Sequence, residues 1–442
     1  MKQITFIGTG YVGLVSGAGV SDFGHQVVCA DIAKDKIAQL QKGEIPIYEP
    51  GLGDLVKRNV QAGRLSFTTN VDKAIQEADV VFIAVGTPQG DDGDADLTAI
   101  FKVAEMIGKN LNHYKVICTK STVPIGTGKK IIDIIQKDKG EDKAFDYVSN
   151  PEFLREGSAV KDFLWPDRVV LGTNSEKALK IMQDVYRPLF INETPMIQTS
   201  IQTAEMIKYA SNAFLALKIS YINEIANLCD EVDADIHEVA KAMGSDGRIS
   251  PKFLHPGPGF GGSCFPKDTK ALANLARKKG IQLRTVEGAI EANQAQKERM
   301  VEKIKGFFSG NISGKTIAIL GLAFKSETDD IRDSSAIDMI QALLDGGAKV
   351  KAYDPIANNN MSKLFPSVVY CKNWEEAVKD TDGTVILTEW REFRGIDLEQ
   401  MKALMNMPVI LDTRNILPIK DLNRLGFQYE NVGRKGNVKN DS

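Results

Sequence analysis

The sequence predicts an α/β protein in which two doubly wound parallel sheets are joined by a long helix and a central helical segment. Short apolar runs alternate with helical stretches over residues 1–200 and again over residues 311–432. Such alternation is typical of parallel strands covered by helices on both faces. Residues 201–310 instead show helical periodicity. The expected domains therefore span 1–200, 201–310 and 311–432, and residues 433–442 are expected to form a disordered tail.

Composition and charge exclude several classes of protein. The 442 residues carry 55 Lys and Arg against 58 Asp and Glu, a net charge of −3, so there is no global basic field for nucleic acid. No stretch approaches about 18 consecutive apolar residues, so no contact with a membrane is predicted. Four histidines lack metal-ligand spacing, and we expect no metal site. Five cysteines without a disulfide pattern indicate a reducing compartment, so we expect a cytoplasmic protein.

The first sheet begins with the pattern of a dinucleotide-binding turn. The apolar run 2–7 is followed by a glycine-rich segment, a helical stretch and a second apolar run, 26–30. In such a Rossmann-like unit the first glycine makes the turn, the second lets a pyrophosphate approach the backbone, and the third lets helix pack on strand. An acid follows the second run 23 residues after the first glycine, where it can accept ribose hydroxyls. The candidate cofactor residues are Gly8, Gly10, Tyr11, Val12, Gly13 and Asp31.

The acid also bears on which dinucleotide is bound. Asp31 would repel a 2′-phosphate, and no arginine follows it. This favours NAD, while Lys34 and Lys36 leave NADP open as the alternative.

Polar residues follow the later strands of the first sheet. Strands are predicted at 80–85, 116–119, 146–149 and 168–171. Because ligands bind at the carboxyl ends of parallel strands, residues just beyond these strands are expected near the cofactor. They are Thr87, Thr122, Glu152 and Glu156.

One long helix is predicted over residues 203–228. Its apolar residues recur at steps of three and four and are expected to pack into a core; they are Ile207, Ala210, Phe214, Leu217, Tyr221, Ile225 and Leu228. Lys208 and Asn212 are spaced i, i+4 and share one face at the border of that stripe. Ordinary solvent exposure is one interpretation of this pair. A half-buried lysine that faces a bound substrate is the other.

Cys264 differs from the other four cysteines. Cys29, Cys118, Cys229 and Cys371 lie in apolar or helical patterns and are expected to be buried. Cys264 stands in a glycine-rich loop, followed within four residues by Lys267 and Asp268. Glycine lets the backbone approach a ligand, and a nearby cation favours the nucleophilic thiolate. Composition alone would favour another inert, buried cysteine. The loop and the rest of the chain instead predict a reactive cysteine here.

A second nucleotide-type fold is predicted after residue 310. Strands are expected at 315–321, 349–353, 384–388 and 409–412. The first turn reads Gly-Leu-Ala-Phe-Lys at 321–325 and lacks the three-glycine pattern. We therefore expect it to hold a nucleotide other than a second NAD.

Taken together, these segments resemble the UDP-glucose/GDP-mannose dehydrogenase family over nearly the whole chain. The matching segments are 8–13, 121–124, 150–157, Lys208 with Asn212, 259–268, 321–325 and 330–334. The resemblance implies an NAD-dependent, four-electron oxidation of a nucleotide sugar at its C6 alcohol. The cysteine would attack the intermediate aldehyde, and the resulting thiohemiacetal would become a thioester that water cleaves.

The resemblance also implies roles for individual residues. The expected catalytic residues are Thr122, Glu152, Lys208, Asn212, Cys264 and Asp268. In addition to the residues of the turn and Thr87, the NAD contacts that the resemblance implies are Lys36, Thr122, Glu156, Lys267 and Arg332. Expected contacts with the nucleotide sugar are Glu152, Phe153, Leu154, Arg155, Lys208, Asn212, Arg248, Phe253 to Gly257, Gly261 and Lys325. A homodimer is implied, with the long helix as its interface.

Several alternatives remain open at the level of sequence. UDP-glucose is the expected substrate, and GDP-mannose is the alternative within the family. A β-hydroxy-acid dehydrogenase would transfer a single hydride and would lack the Gly-Gly-Ser-Cys loop. A non-catalytic nucleotide-sugar sensor would have no reason to keep Cys264, Lys208 and Asp268 together.

Overall fold

The protein was analysed as a computed structural model that describes residues 1–90, 93–140 and 143–437. The chain divides into two compact units, Met1–Ser211 and Asn212–Ser442. The three-domain division made from the sequence is finer and stays a prediction.

The first unit is built on a sheet of eight strands within its described residues. These are β1 (Gln3–Ile7), β2 (Gln26–Ala30), β3 (Leu65–Thr68), β4 (Val80–Ile83), β5 (Lys115–Thr119), β6 (Phe145–Ser149), β7 (Val169–Gly172) and β8 (Met196–Thr199). Their order is β3-β2-β1-β4-β5-β6-β7-β8. All neighbours are parallel except β6 and β7, which meet antiparallel at Ser149 and Gly172. The strand order reverses between β1 and β4, which is where doubly wound sheets open a ligand crevice.

Helices cover this sheet. They are α1 (Tyr11–Asp22), α2 (Lys34–Gln41), α3 (Leu52–Gln61), α4 (Val71–Glu77), α5 (Thr98–Asn110), α6 (Thr127–Asp138), α7 (Ala159–Leu164), α8 (Glu176–Val185) and a 3₁₀ helix, Arg187–Asn192. The long helix α9 (Ile201–Val232) begins in this unit and continues into the next. Residues alternate along β1, so Phe6 and Ile7 join different apolar clusters. Burial on both faces explains why these strands are nearly continuous apolar runs.

The second unit repeats the design with six described strands. These are β9 (Thr316–Leu320), β10 (Lys349–Tyr353), β11 (Val369–Tyr370), β12 (Gly383–Ile386), β13 (Val409–Asp412) and β14 (Gln428–Asn431). The order is β11-β10-β9-β12-β13-β14, and every pair is parallel.

Nine helices accompany the second sheet in the described part of the unit. They are α10 (Ile236–Gly244), α11 (Phe265–Lys278), α12 (Arg284–Gly306), α13 (Ser335–Asp345), α14 (Asn358–Met361), α15 (Trp374–Val378), α16 (Arg391–Arg394), α17 (Leu398–Leu404) and α18 (Ile419–Leu425). The predicted fold class, two doubly wound sheets with a long helix, is confirmed.

Most of the apolar stripe of α9 lies outside the core, so the expectation that the stripe packs there was wrong for all but its half-buried members, such as Ile225. Phe214, Tyr221 and Leu228 are 61%, 46% and 57% exposed. The buried face instead carries Tyr209 and Ile222, together with small or polar side chains such as Ala216 and Ser220. The sequence prediction therefore placed the buried stripe on the wrong face of the helix.

The segment predicted as a tail has two parts. Gly433 is buried beside Ala226 and Ile236, and the Asn437 side-chain oxygen accepts a hydrogen bond from the Tyr429 amide at 2.8 Å. Residues 438–442 lie outside the described residues. Where the structure describes the chain, no helix is both long and apolar enough to cross a membrane.

Candidate active site

The glycines of the first turn have three different surroundings. Gly8 adopts φ +103°, and a Cβ there would lie 2.7 Å from the Ala84 carbonyl oxygen. A Cβ on Gly13 would lie 1.9 Å from the Gly8 carbonyl oxygen. Around Gly10, the residue that precedes α1, there is open space within 4 Å of such a Cβ. The outer glycines are therefore required by the fold, while Gly10 and the first N–H groups of α1 leave room for a phosphate.

Asp31 lies directly beyond β2, beside this turn. Its carboxylate accepts hydrogen bonds from the Thr9 amide and hydroxyl, both at 2.8 Å, and from the Ala33 amide at 3.0 Å. Lys36 lies 4.0 Å away. Burial alone would raise the pKa of Asp31, but these hydrogen bonds and Lys36 outweigh it and hold the pKa below its usual value. A carboxylate ionised at neutral pH suits a ribose hydroxyl pair.

Tyr11 anchors the loop after β6. Its hydroxyl donates to the Glu49 carboxylate, and Glu49 also accepts the Gly157 amide at 2.6 Å. Burial, and then Glu49, raise the pKa of Tyr11. Arg155 of the same loop pairs with Asp162 at 2.6 Å. Of the other predicted NAD contacts, Val12 and Glu156 are half-buried on these segments.

A buried ion pair joins the loop after β6 to α9. The Lys208 ammonium donates to the Glu152 carboxylate at 3.1 Å, and both side chains are almost fully buried. The second oxygen of Glu152 accepts the Leu154 amide at 2.5 Å. The Phe153 ring lies 5.3 Å from the Lys208 nitrogen and 3.5 Å from the Arg168 guanidinium. The lysine is thus more buried than the sequence suggested, and it has a carboxylate partner.

Lys120 belongs to this cluster but was missed in the sequence. It follows β5, is buried, and donates to the Asn150 side-chain oxygen at 3.1 Å and to the Tyr186 hydroxyl at 3.3 Å. Burial, aided by the charge of Lys208, lowers its pKa to about 8, against the opposing influence of Glu152. The feature of the sequence that could have identified Lys120 is its position directly after a predicted strand, in the segment Lys-Ser-Thr.

The two threonines predicted at the cofactor edge lie side by side. The Thr87 hydroxyl donates to the Thr122 carbonyl at 2.9 Å. Both side chains are half-buried. The loops after β4 and β5 therefore meet at this edge of the sheet.

Cys264 stands at the start of α11, in the second unit. It is half-buried, unlike the other four cysteines, which are buried as predicted. The first turn of α11 carries Asp268, which is fully buried. Its carboxylate accepts the Asn212 amide at 2.6 Å and the Lys267 ammonium at 2.7 Å. A helix N-terminus favours negative charge, so this is a suitable place for a thiolate.

The glycines before Cys264 fit against the loop after β9. A Cβ on Gly261 would lie 2.3 Å from the Asp333 carbonyl oxygen. Gly262 adopts φ +86°, and a Cβ there would lie 2.7 Å from the Phe324 ring. The Gly262 amide donates to the Arg332 carbonyl at 2.7 Å. Only glycine permits these approaches, which fix the loop that carries the cysteine.

The turn of the second sheet differs chemically from the first. Asp354 lies directly beyond β10, as Asp31 lies beyond β2. Its carboxylate accepts five hydrogen bonds from the protein, with donors at Leu322, Ala323, Ile356, Ala357 and Trp390. These bonds leave little capacity for ribose, which fits the expectation of a different nucleotide.

The predicted nucleotide-sugar contacts of the second unit have varied surroundings. Arg248 is 90% exposed and pairs with Asp246 at 2.5 Å. Phe253 adopts φ +65° and packs edge-on against Phe265, with centroids 6.1 Å apart. Lys325 is half-buried. Among predicted NAD contacts, the Arg332 side chain is 63% exposed and pairs with Asp330.

The structure therefore groups five of the six predicted catalytic residues into two clusters, and Thr122 lies with Thr87 instead. Glu152 and Lys208 form one in the first unit. Asn212 and Asp268 form the other in the second unit, with Cys264 one helical turn before Asp268. No group of three or more potential metal ligands occurs in residues 1–90, 93–140 and 143–437.

Comparison with known proteins identifies the family. Three models of the UDP-glucose/GDP-mannose dehydrogenase family match the chain. They describe the NAD binding domain, at residues 2–190, the central domain, at 202–295, and the UDP binding domain, at 318–419.

Individual relatives match over nearly the full length. UDP-glucose 6-dehydrogenase of Rhizobium meliloti (strain 1021) is 49% identical over 98% of this chain and 99% of its own. UDP-glucose 6-dehydrogenase TuaD of Bacillus subtilis (strain 168) is 48% identical over 98% of this chain and 94% of its own. The solved structure of a UDP-glucose dehydrogenase from the hyperthermophilic archaeon Pyrobaculum islandicum is 35% identical, covers 98% of both chains and superposes with a TM-score of 0.92. The chain thus belongs to the UDP-glucose/GDP-mannose dehydrogenase family, as its motifs predicted.

Proposed function

We propose that the chain oxidises the C6 alcohol of UDP-glucose to the carboxylate of UDP-glucuronate, with NAD as the oxidant and Cys264 as a covalent nucleophile. The observation that carries this proposal is the half-buried Cys264 at the start of α11, one turn before a fully buried Asp268. The other four cysteines are buried. A thiol kept accessible beside a buried, charged hydrogen-bond network suits chemistry better than packing.

The first oxidation removes a hydride from C6 and a proton from its hydroxyl. The alkoxide that develops needs a donor nearby, and Lys208 and Asn212, four residues apart on α9, supply an ammonium and an amide. Such donors are worth about 3 kcal/mol each to a transition state. Glu152 and Asp268 are the two candidates for proton acceptor, directly or through water.

The second oxidation requires an added nucleophile, because an aldehyde has no further oxygen to give. The Cys264 sulfur adds to the aldehyde carbon and forms a thiohemiacetal. Loss of a second hydride from that carbon, together with the proton of its hydroxyl group, gives the thioester; Glu152 and Asp268 are again the candidate proton acceptors. Water then cleaves the C–S bond, releases the carboxylate and regenerates the thiol. Two hydrides, four electrons in all, leave the substrate.

The first turn fits NAD. When bound, NAD supplies the hydride acceptor for each oxidation. The open backbone at Gly10 and the N-terminus of α1 suit a pyrophosphate, and the ionised Asp31 suits ribose hydroxyls rather than a 2′-phosphate. Thr87 and Thr122 lie at the edge of the sheet where the reacting end of the cofactor is expected.

UDP-glucose is favoured by two observations. The family's UDP binding domain matches residues 318–419, and the two bacterial relatives carry the name UDP-glucose 6-dehydrogenase. The test is the initial rate of NADH formation with UDP-glucose, GDP-mannose and UDP-N-acetylmannosamine. We expect UDP-glucose to be the best substrate by about tenfold or more in kcat/KM. Faster turnover of GDP-mannose would contradict the assignment.

We also propose a homodimer that buries one face of α9. Phe214, Tyr221 and Leu228 are spaced by seven residues, so they line up along the helix, and Val232 extends the line. All four are exposed by 46% to 61%. A row of large apolar side chains on one helix matches the same row on a second copy, related by a twofold axis.

A further inference from the structure

The loop that leads to Cys264 is buried, although it has no regular secondary structure. Residues 256–262 are all buried, and none of them lies in a helix or strand. Buried backbone N–H and C=O groups must find partners. The Gly262 amide finds a backbone carbonyl. The partners of Gly257, Pro258 and Phe260 are side chains, and two of these side chains come from α12, a helix that the proposed chemistry does not use.

Asn293 on α12 holds both backbone groups of Phe260. The Phe260 amide donates to the Asn293 side-chain oxygen at 2.7 Å, and the Asn293 amide donates to the Phe260 carbonyl at 3.0 Å. Asn293 is only 8% exposed. Next to it, Gly259 adopts φ +107°, and a Cβ there would lie 3.1 Å from the Asn293 oxygen. The loop backbone is therefore seated directly on this side chain.

Neighbouring side chains hold the preceding turn in the same way. Gln296, on the next turn of α12, donates to the Gly257 carbonyl at 2.8 Å. Asn223 of α9 accepts the Gly257 amide at 2.8 Å. The Ser335 hydroxyl donates to the Pro258 carbonyl at 2.9 Å.

The anchor at Phe260 acts on both sides of Cys264. Phe260 lies four residues before Cys264, and Phe265 directly follows Cys264. The rings of Phe260 and Phe265 pack at a right angle, with centroids 6.0 Å apart. Displacement of Phe260 would therefore move the start of α11 as well as the loop.

We propose that Asn293 is a positioning residue, which holds the Cys264 loop in the conformation that lets the thiol add to the aldehyde. The statement that the thiol adds to an aldehyde rests on the proposed function. The statement that Asn293 holds the conformation of the loop does not depend on it.

The test measures alkylation of all five cysteines by iodoacetamide, at one pH and without substrate, with each site quantified by peptide mass spectrometry. In Asn293→Ala the anchor is lost, so Cys264 is expected to react about fivefold faster or more, while Cys29, Cys118, Cys229 and Cys371 stay protected. Asn293→Asp keeps the size and the acceptor but places a carboxylate against the Phe260 carbonyl, so it should act in the same direction. Gln294→Ala, on the same helix but exposed, is the matched control.

The outcomes separate positioning from general destabilisation. Faster reaction at Cys264 alone, with turnover of UDP-glucose about tenfold lower and UDP affinity within about threefold, supports the proposal. A Cys264 alkylation rate within about twofold of the wild type in both variants overturns it, and so does equal exposure of all five cysteines. The two proposals can also fail separately. If alkylation is selective for Cys264 in the variants but the wild type makes only one NADH per sugar, the positioning role of Asn293 is supported and the thioester reaction is excluded.

Discussion

Asp31 and Asp354 show how one residue type at equivalent places can serve different purposes. Each lies directly beyond the second strand of its sheet. Asp31 accepts three hydrogen bonds from its own turn, and Lys36 lies nearby. Asp354 accepts five, including one from the Trp390 indole, and is 1% exposed. Asp31 can therefore still bind a ligand, whereas the hydrogen bonds of Asp354 are used to hold a loop of the protein.

Asp31→Ala is expected to weaken NAD binding by about ten- to one-hundredfold, because hydrogen bonds to a charged acceptor contribute about 1.5–3 kcal/mol each. UDP-glucose binding should remain within about threefold, since Asp31 belongs to the first sheet. Isothermal calorimetry with each ligand measures both. Equal losses for the two ligands would show that the acid supports the fold instead.

Cys264→Ser is expected to abolish conversion to the acid, while NAD and UDP-glucose still bind. Serine keeps the size, but its hydroxyl is a far poorer nucleophile than a thiolate at neutral pH. Product analysis measures the conversion. Intact-mass spectrometry would detect an ester adduct on the introduced serine. Acid formation near the wild-type rate would refute the covalent role.

Lys120→Met tests the cost of a buried charge. Burial lowers the folded-state pKa of Lys120 to about 8, whereas the unfolded chain keeps the proton to higher pH. The loss of stability caused by burying the charged lysine is therefore fully present below about pH 8, and it decreases as the pH rises above that value. The free energy of unfolding of the wild type, minus that of the variant, should rise by about 2 kcal/mol between about pH 7.5 and 9.5. Urea titrations measure it, and a flat difference would contradict a buried charged lysine. Lys115, whose pKa burial also lowers to about 8, is present in both proteins and cancels.

At the scale of elements, the sequence predicted interior strands well and edge strands poorly. The bounds of β2, β10 and β13 agree with the prediction. The four strands that were missed, β3, β8, β11 and β14, are the outermost strands of the two sheets. An edge strand is short and partly solvated, so it lacks the apolar run that marks a strand buried on both faces.

The sequence predicted which residues belong to the candidate site, but it did not predict which of them pair with each other. The i, i+4 spacing on the long helix indicated Lys208 and Asn212. Their partners, Glu152 and Asp268, are each 56 residues away along the chain. Such pairings depend on tertiary packing. Lys120 and Asn293 were missed because a lysine or asparagine beside a strand or on a helix is usually solvated.

The exposed face of α9 gives a prediction about assembly. Phe214→Glu combined with Tyr221→Glu places two charges in the proposed interface, so we expect the protein to sediment as a monomer. Lys180→Glu, an exposed change on α8, should leave the dimer intact. Analytical ultracentrifugation distinguishes the two. Dimers in the double variant, or monomers in the wild type, would exclude this face as the interface.

At the scale of the whole molecule, two sheets of similar strand order carry different chemistry. The order 3-2-1-4-5-6 appears in the second sheet, and the first adds two more strands at one edge. In the first turn, Gly10 has open space around it and Asp31 can still accept hydrogen bonds from a ligand. In the second turn, the carboxylate of Asp354 is already occupied by hydrogen bonds from the protein. This asymmetry fits one domain for a dinucleotide and another for a nucleotide sugar.

In the proposed reaction, one sugar is oxidised twice at a single carbon through Cys264. The most direct measurement is the amount of NADH formed per UDP-glucose consumed, with the sugar limiting and NAD in excess. Two NADH per sugar, with UDP-glucuronate as the product, is the predicted result. One NADH per sugar, with the reaction stopping at the aldehyde, would rule out the thioester reaction.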